Sequence, residues 1–186
     1  MESIQTGVGR SNNADSQKAG QEACQQAIDQ IKEKPDLIMV FSSVALDQEK
    51  MLQGVNSAAQ GAIVVGCSDS GEITTQGSVR GHVVVMAISS DKIKFTIGLG
   101  KNVKENSFRA GQEAAEEVIK KAPEKISLFV SLLEGLTGNG AAIVRGFKAA
   151  LGEHFPIIGG SAGDDFAFKK TFVYYKDQVL TDTTIG

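Results

Sequence analysis

Hydrophobic residues along the chain switch between helical spacing and short continuous runs. Ala19 and Ala23 lie on one face of a helix that Pro35 is expected to stop at about Lys34, because proline cannot continue a helix. Residues 37–41 form an unbroken apolar run, which is typical of a strand buried on both faces. Alternation of helices and buried strands predicts an α/β fold.

The same pattern predicts the remaining elements. Further helices are expected at residues 48–60, 105–121 and 141–152, and strands at residues 4–9, 62–65, 81–89, 92–98, 126–132, 156–158 and 171–175. The glycine-containing segment 66–77 is expected to be a loop. We therefore predict mixed, largely parallel sheets flanked by helices, with some antiparallel additions.

One pentapeptide occurs twice in the chain. Residues 19–23 recur letter for letter as residues 110–114, and turn glycines and helix faces keep the same order around both. This self-similarity predicts two related α/β units, at about residues 4–98 and 99–186. The second copy stops where the first would still have the apolar strand 83–88, so we expect the natural protein to continue further.

Composition and charge narrow the functional classes. The formal net charge of −3 and the lack of a dense Lys/Arg block argue against binding to nucleic acid or an anionic membrane. No apolar run approaches the ~20 residues that span a bilayer. Cys24 and Cys67 make neither a C-x-x-C pair nor a disulfide framework, so we expect a cytoplasmic protein with no metal and no cofactor.

Candidate binding residues follow the predicted strands. In open α/β sheets, ligands bind beyond the carboxyl ends of the strands, and four loops here combine small residues, hydroxyls and carboxylates at that place. Such loops suit a small zwitterion, with amides for its carboxylate and acidic side chains for its ammonium. The candidate ligand-binding residues are Ser42, Ser43, Cys67, Ser68, Asp69, Glu72, Glu134, Ser161, Gly163 and Asp164.

Several of these residues have structural alternatives. Cys67 is either a small packing residue or a nucleophile at the start of a loop. Asp164 and Asp165 fit a cap and turn after a glycine as well as a metal or general-base role. His82 and His154 suit strand-start and helix-end positions, and they do not have the spacing of a zinc site.

The strand-end motifs resemble those of the FIST N-terminal domain. Residues 65–73, VGCSDSGEI, are similar to the VGCSTxGEI signature of that family, and residues 8–11, 36–43 and 158–164 carry further similarity in the same order. Asp69 stands where many relatives have Thr or another small residue. The resemblance implies a sensory domain of a signal transduction protein, proposed in that family to bind small ligands such as amino acids.

The resemblance also implies partners and alternatives. A FIST C-terminal domain normally follows, and histidine kinase, chemotaxis or cyclic-dinucleotide output domains are often joined to it. We expect a small-ligand sensor with no catalytic residues of its own. Two alternatives stay open: a haem-binding gas sensor with His82 or His154 as axial ligand, and an enzyme with Cys67 or Ser161 as nucleophile.

Overall fold

A computed structural model describes residues 4–74 and 77–186. Its helices are α1 (Ser16–Ile28), α2 (Gln48–Ala58), α3 (Ser107–Lys121) and α4 (Gly140–Leu151). Its strands are β1 (Ile4–Ser11), β2 (Leu37–Ser42), β3 (Ile63–Ser68), β4 (Glu72–Thr74), β5 (Gly77–Val79), β6 (Val83–Ser90), β7 (Leu99–Lys101), β8 (Phe129–Leu133), β9 (Ile157–Ser161), β10 (Val173–Tyr175), β11 (Gln178–Leu180) and β12 (Thr183–Ile185). None of the four helices in this part of the chain is long and apolar enough to cross a membrane.

Each helix begins at a side-chain cap. Asp15 accepts from the amides of Gln17 and Lys18 at 3.0 and 3.2 Å, and Asp47 accepts from the Lys50 amide at 3.1 Å. Asn106 and Asn139 cap α3 and α4 in the same way. These caps satisfy amides that have no partner within the helix, which is why the helices start directly after these polar residues.

The chain divides into two compact units. Unit 1 comprises the residues up to Lys94 together with residues 163–168 and 174–179, and unit 2 comprises residues 95–162, 169–173 and 180–186. Unit 1 contains α1 and α2, and its sheet has the order β1-β6-β2-β3-β10-β11. Unit 2 contains α3 and α4 beside a sheet of order β7-β12-β8-β9. Strands β4 and β5 pair with each other alone.

The predicted α/β class is confirmed, but the expectation of largely parallel sheets is wrong. The pairs β2–β3 and β8–β9 are parallel, whereas β1–β6, β2–β6, β7–β12, β8–β12 and β4–β5 are antiparallel. The reason is that β6 lies between β1 and β2, and β12 lies between β7 and β8. Apolar runs therefore mark buried strands here without marking their direction.

Two glycines in each unit allow its helices to pack closely. A Cβ added at Gly20 of α1 would lie 2.1 Å from the Met51 carbonyl oxygen, and one at Gly54 of α2 would lie 1.9 Å from that of Gln17. In unit 2 the corresponding distances are 2.2 Å for Gly111 to Ile143 and 2.1 Å for Gly146 to Phe108. Any larger residue at these four positions would push the paired helices apart.

Three predicted elements differ from the structure. Helix α1 ends at Ile28 rather than near Lys34, because Gln30 turns away to exchange hydrogen bonds with the Val8 backbone of β1. Residues 92–98 form no strand, since both edges of β6 are already occupied by β1 and β2. The expected loop 66–77 contains the end of β3, which runs to Ser68, all of β4 and the first residue of β5, and its residues 75 and 76 lie outside the described part.

Candidate functional site

The carboxyl ends of β2 and β3 meet at one edge of the unit 1 sheet. Ser42 and Ser68 are the last residues of these two parallel strands and stand opposite each other in register. Val83, the first residue of β6, pairs with Ser42 from the other side. The loops that follow β2 and β3, and the loop that precedes β6, therefore come together at this edge.

Ser42 is part of a buried polar network. Its Oγ lies 2.8 Å from the Tyr174 hydroxyl, and that hydroxyl donates to Gln48 Oε1. The Gln48 side-chain amide donates to the carbonyls of Ser43 and Leu46 at 3.1 and 2.6 Å. Burial raises the pKa of Tyr174, so the phenol stays protonated and remains a donor. This network fixes the turn between β2 and α2.

Segment 163–165 is hydrogen-bonded across the end of β3. The Gly163 amide donates to the Ser68 carbonyl at 2.9 Å, and Ser68 Oγ donates to the Gly163 carbonyl at 2.7 Å. A Cβ on Gly163 would lie 2.4 Å from Ser70 Oγ, so only glycine fits this approach. The Asp165 amide then donates to the Asp69 carbonyl at 3.2 Å, which brings two acidic residues together.

Asp69, Glu72 and Asp165 form what we call the acidic cluster. Asp165 Oδ2 accepts a hydrogen bond of 2.6 Å from Ser43 Oγ, and Asp69 Oδ1 accepts one of 3.2 Å from the Gly71 amide. None of the three carboxylates forms an ion pair with a basic side chain within residues 4–74 and 77–186. Three carboxyl groups thus meet at the strand ends, and no basic side chain among the described residues is ion-paired with them.

Glu72 has an unsatisfied oxygen. Its side chain is only 2% exposed, and its Oε1 accepts a hydrogen bond of 3.1 Å from the His82 amide. Its Oε2 is buried and has no hydrogen-bond partner among the described residues. A buried polar atom in this state costs free energy of about 1–3 kcal/mol, and more when it is charged, so it calls for an explanation.

The environment raises two pKa values in the acidic cluster. Burial, followed by the nearby charges of Glu72 and Asp165, raises the pKa of Asp69 to about 7. Burial also raises the pKa of Glu72, against the hydrogen bond from the His82 amide. Both shifts mean that the negative form of the cluster is disfavoured until a cation or a proton joins it.

Asp164 caps a turn, and Cys67 is buried at the end of β3. The carboxylate of Asp164 accepts from the Phe168 amide at 3.0 Å, and its carbonyl accepts from the Ala167 amide, also at 3.0 Å. This arrangement is the cap and turn that the sequence offered as an alternative. Cys67 is buried, and burial together with Asp69 raises the pKa of its thiol to about 12.

Eight of the ten candidate residues belong to unit 1, whereas Glu134 and Ser161 belong to unit 2. Ser161 is the exposed last residue of β9. Glu134 is 4% exposed and accepts from the amides of Leu136 and Thr137 at 3.2 and 2.7 Å and from the hydroxyls of Thr137 and Thr171. Burial disfavours its charge, but these hydrogen bonds prevail and hold its pKa below the ordinary value.

Sequence reasoning did not select three residues of this region. Asp165 completes the acidic cluster, Tyr174 and Gln48 hold the Ser42 turn, and all reach their partners through the fold. The adjacent pair Asp164-Asp165 did carry a signal. When one of two adjacent acidic residues caps a turn, the other is free to point elsewhere, and here Asp165 contacts Ser43. Within the described residues, no group of His, Cys, Asp and Glu side chains is arranged to hold a metal ion.

The fold and this site define an α/β domain with an acidic cluster at its strand ends. The chain matches the FIST N domain over residues 36–186 and therefore belongs to the FIST family, whose members are sensory domains of signal transduction proteins appended to signalling output domains. No curated protein matches the chain.

Proposed function

We propose that this domain senses a small molecule whose ammonium group binds at the acidic cluster of unit 1. The observation that carries the proposal is the unpartnered, buried Oε2 of Glu72. A ligand ammonium would satisfy this oxygen and offset the charge shared with Asp69 and Asp165, and it is a stronger partner for a carboxylate than a neutral donor. Amino acids and similar metabolites belong to this ligand class.

The proposed mechanism is binding without chemistry. The thiol of Cys67, with a pKa of about 12, is a poor nucleophile at neutral pH. In the described residues, no histidine is hydrogen-bonded to Cys67 or Ser161, so neither has the adjacent base that an activated nucleophile needs. We infer that the bound ligand instead reorders the loops around the acidic cluster, and that an appended output domain responds to that change.

The proposal includes a common origin for the two units. The order and directions of β1-β6-β2-β3 are repeated by β7-β12-β8-β9, and the paired-helix glycines occupy matching places in both units. These likenesses support duplication of one α/β unit, followed by divergence of the strand-end loops. We place the domain in the cytoplasm, in keeping with the two buried free thiols of Cys24 and Cys67.

A thermal-shift screen tests the function. The probes are single amino acids and simple amines, each paired with an analogue that lacks the ammonium group. A ligand at about 100-fold over its dissociation constant adds ~2.7 kcal/mol to the free energy of unfolding, which raises the melting temperature visibly. We expect stabilisation by ammonium-bearing probes and none by their partners without the cation.

Glu72→Gln is the decisive variant in this screen, because it keeps the shape and the acceptor for the His82 amide while removing the charge. We expect it to fold and to lose the response. Glu49→Gln, on the first turn of α2, is the matched control and should respond like the original chain. Equal responses from the Glu72→Gln variant and the original chain would overturn the proposal.

A further inference from the structure

Two phenylalanines next to the acidic cluster are strongly exposed. Phe166 is 64% and Phe168 is 76% exposed, and both follow Asp165 in the loop that belongs to unit 1. Single exposed apolar residues are ordinary on protein surfaces. Here two aromatic rings lie within three residues, and their loop contributes a carboxylate to the candidate site. The exposure of both rings therefore calls for an explanation.

The backbone of this loop is strained. Asp165, Phe166 and Phe168 have φ angles of 55°, 62° and 52°, in the left-handed region that bulky residues avoid. Such conformations persist only where surrounding contacts hold them, and they concentrate at functional sites. The loop thus holds two apolar side chains in contact with water in an unfavourable backbone conformation. Because the rings are exposed, their burial does not offset this conformational free energy.

The contacts that hold the loop are those of the acidic cluster. Asp165 is fixed at its carboxylate by Ser43 and at its amide by the Asp69 carbonyl. Asp164 fixes the other end by accepting from the Phe168 amide. The same hydrogen bonds therefore fix the carboxylates and the segment that carries the two rings. A ligand bound to the carboxylates lies next to that segment.

We propose that Phe166 and Phe168 cover the apolar body of the ligand, so that the domain selects primary amines carrying an aromatic or large apolar group. This inference rests on the proposed function, because the acidic cluster supplies the contact for the ammonium. An apolar body buries the exposed rings, and a cation beside an aromatic face gains further attraction. Small hydrophilic amines make only the contact between their ammonium group and the acidic cluster.

Calorimetric titration with two amines tests the selection. We expect 2-phenylethylamine to bind the domain about tenfold or more tightly than methylamine, from the apolar area that its ring buries. The double variant Phe166→Ala/Phe168→Ala should bind both amines with similar affinity. Equal affinity of the original chain for the two amines, or an unchanged preference in the double variant, would overturn the inference and leave the proposed function standing.

Failure of the proposed function has a different signature. If neither amine binds, or if 3-phenylpropionic acid binds as well as 2-phenylethylamine, the acidic cluster does not receive a cation and both ideas fall. If Glu72→Gln abolishes binding of both amines while the double phenylalanine variant loses only the preference, both are supported. If the rings instead bind a macromolecule, the double variant should prefer 2-phenylethylamine to methylamine by the same factor as the original chain, and this result would overturn the inference.

A fluorescence reporter checks the location directly. The chain contains no tryptophan, so Phe168→Trp places a single tryptophan in the loop, whose emission can be excited selectively. We expect its emission to shift to shorter wavelength with 2-phenylethylamine and to stay unchanged with methylamine. Ile4→Trp is the control, because Ile4 is exposed and pairs with Ser90, at the sheet end opposite Ser42. A shift in the control, or none in Phe168→Trp, would contradict the inference.

Discussion

Each of the two units buries a glutamate in the segment that follows a strand of a parallel pair, Glu72 after β3 and Glu134 after β8. The two glutamates are in opposite states. Glu134 in unit 2 accepts hydrogen bonds from two amides and two hydroxyls, and its pKa lies below the ordinary value. Glu72 in unit 1 accepts one amide at Oε1, has an unpartnered Oε2 and has a raised pKa. A satisfied buried carboxylate stabilises a loop, whereas an unsatisfied one is available to a ligand.

The largest expected difference between the two glutamates is in stability. Replacing Glu134 by Ala leaves the donors of Thr137 and Thr171 without an acceptor, so we expect a loss of about 2–4 kcal/mol in the free energy of unfolding. Glu72→Ala removes the unsatisfied oxygen and also the acceptor of the His82 amide. These two effects oppose each other, so the same quantity should change by less than about 1 kcal/mol. Urea unfolding at pH 7 measures both. Similar losses of unfolding free energy in Glu134→Ala and Glu72→Ala would contradict the view that only Glu134 is satisfied.

The pH dependence of stability should have opposite signs in the two units. The pKa of Asp69 is raised from 3.8 to about 7, so the folded state holds a proton that the unfolded chain releases above pH 4. This contribution to stability is present below pH 4 and is lost as the pH rises to about 7. Glu134 does the reverse, since its stabilisation is present above its unfolded pKa of 4.5 and is lost as the pH falls further.

Asp69→Asn isolates the unit 1 contribution. We expect the decline in the free energy of unfolding between pH 4 and 7 to become smaller by about 1–2 kcal/mol, after allowance for screening by solvent at this partly exposed side chain. Urea unfolding at several pH values measures it. Asp29→Asn, at the C-cap of α1, is the control and should keep the decline of the original chain. An unchanged slope in Asp69→Asn would refute this account of the acidic cluster.

A smaller effect is expected where Ser43 holds Asp165. Ser43→Ala removes the hydrogen bond to that carboxylate and the one that Ser43 Oγ accepts from the Ala45 amide, and it should cost about 1 kcal/mol, measured by urea unfolding. Because Asp165 then loses its fixed position, we also expect weaker binding of 2-phenylethylamine. Ser57→Ala, which removes a bond to the Gly54 carbonyl within α2, should cost a similar amount and leave amine binding intact. Equal binding by both variants would speak against a role for Asp165.

The smallest expected signal is the reaction of Cys67 with a thiol reagent. In a Cys24→Ala variant at pH 8, Cys67 should stay unmodified for as long as the protein is folded, because its pKa of about 12 leaves almost no thiolate. Addition of urea should expose it and give rapid modification. Fast reaction of the folded protein would favour the enzyme alternative with Cys67 as nucleophile.

Sequence reasoning reached the local features of the molecule and missed those that depend on distant partners. The helices were predictable from their apolar faces, and the positions of Ser42, Ser68 and Asp69 from the ends of the predicted strands. Strand β6 lies antiparallel between β1 and β2, and the hydrophobic pattern of a strand does not indicate which strands it pairs with. Likewise, Ser43 meets Asp165 through the fold alone, so the acidic cluster appeared in the sequence only as separate acidic residues.

The most direct test is an NMR titration that follows the side-chain carboxyl carbons of ¹³C-labelled glutamates as 2-phenylethylamine is added at pH 7. We predict that the Glu72 signal moves in step with binding and that its pKa falls in the saturated complex, because the ammonium favours the carboxylate. Glu134 serves as the internal reference and should not move. Binding that leaves the Glu72 signal in place, or that moves Glu134 instead, would contradict the account.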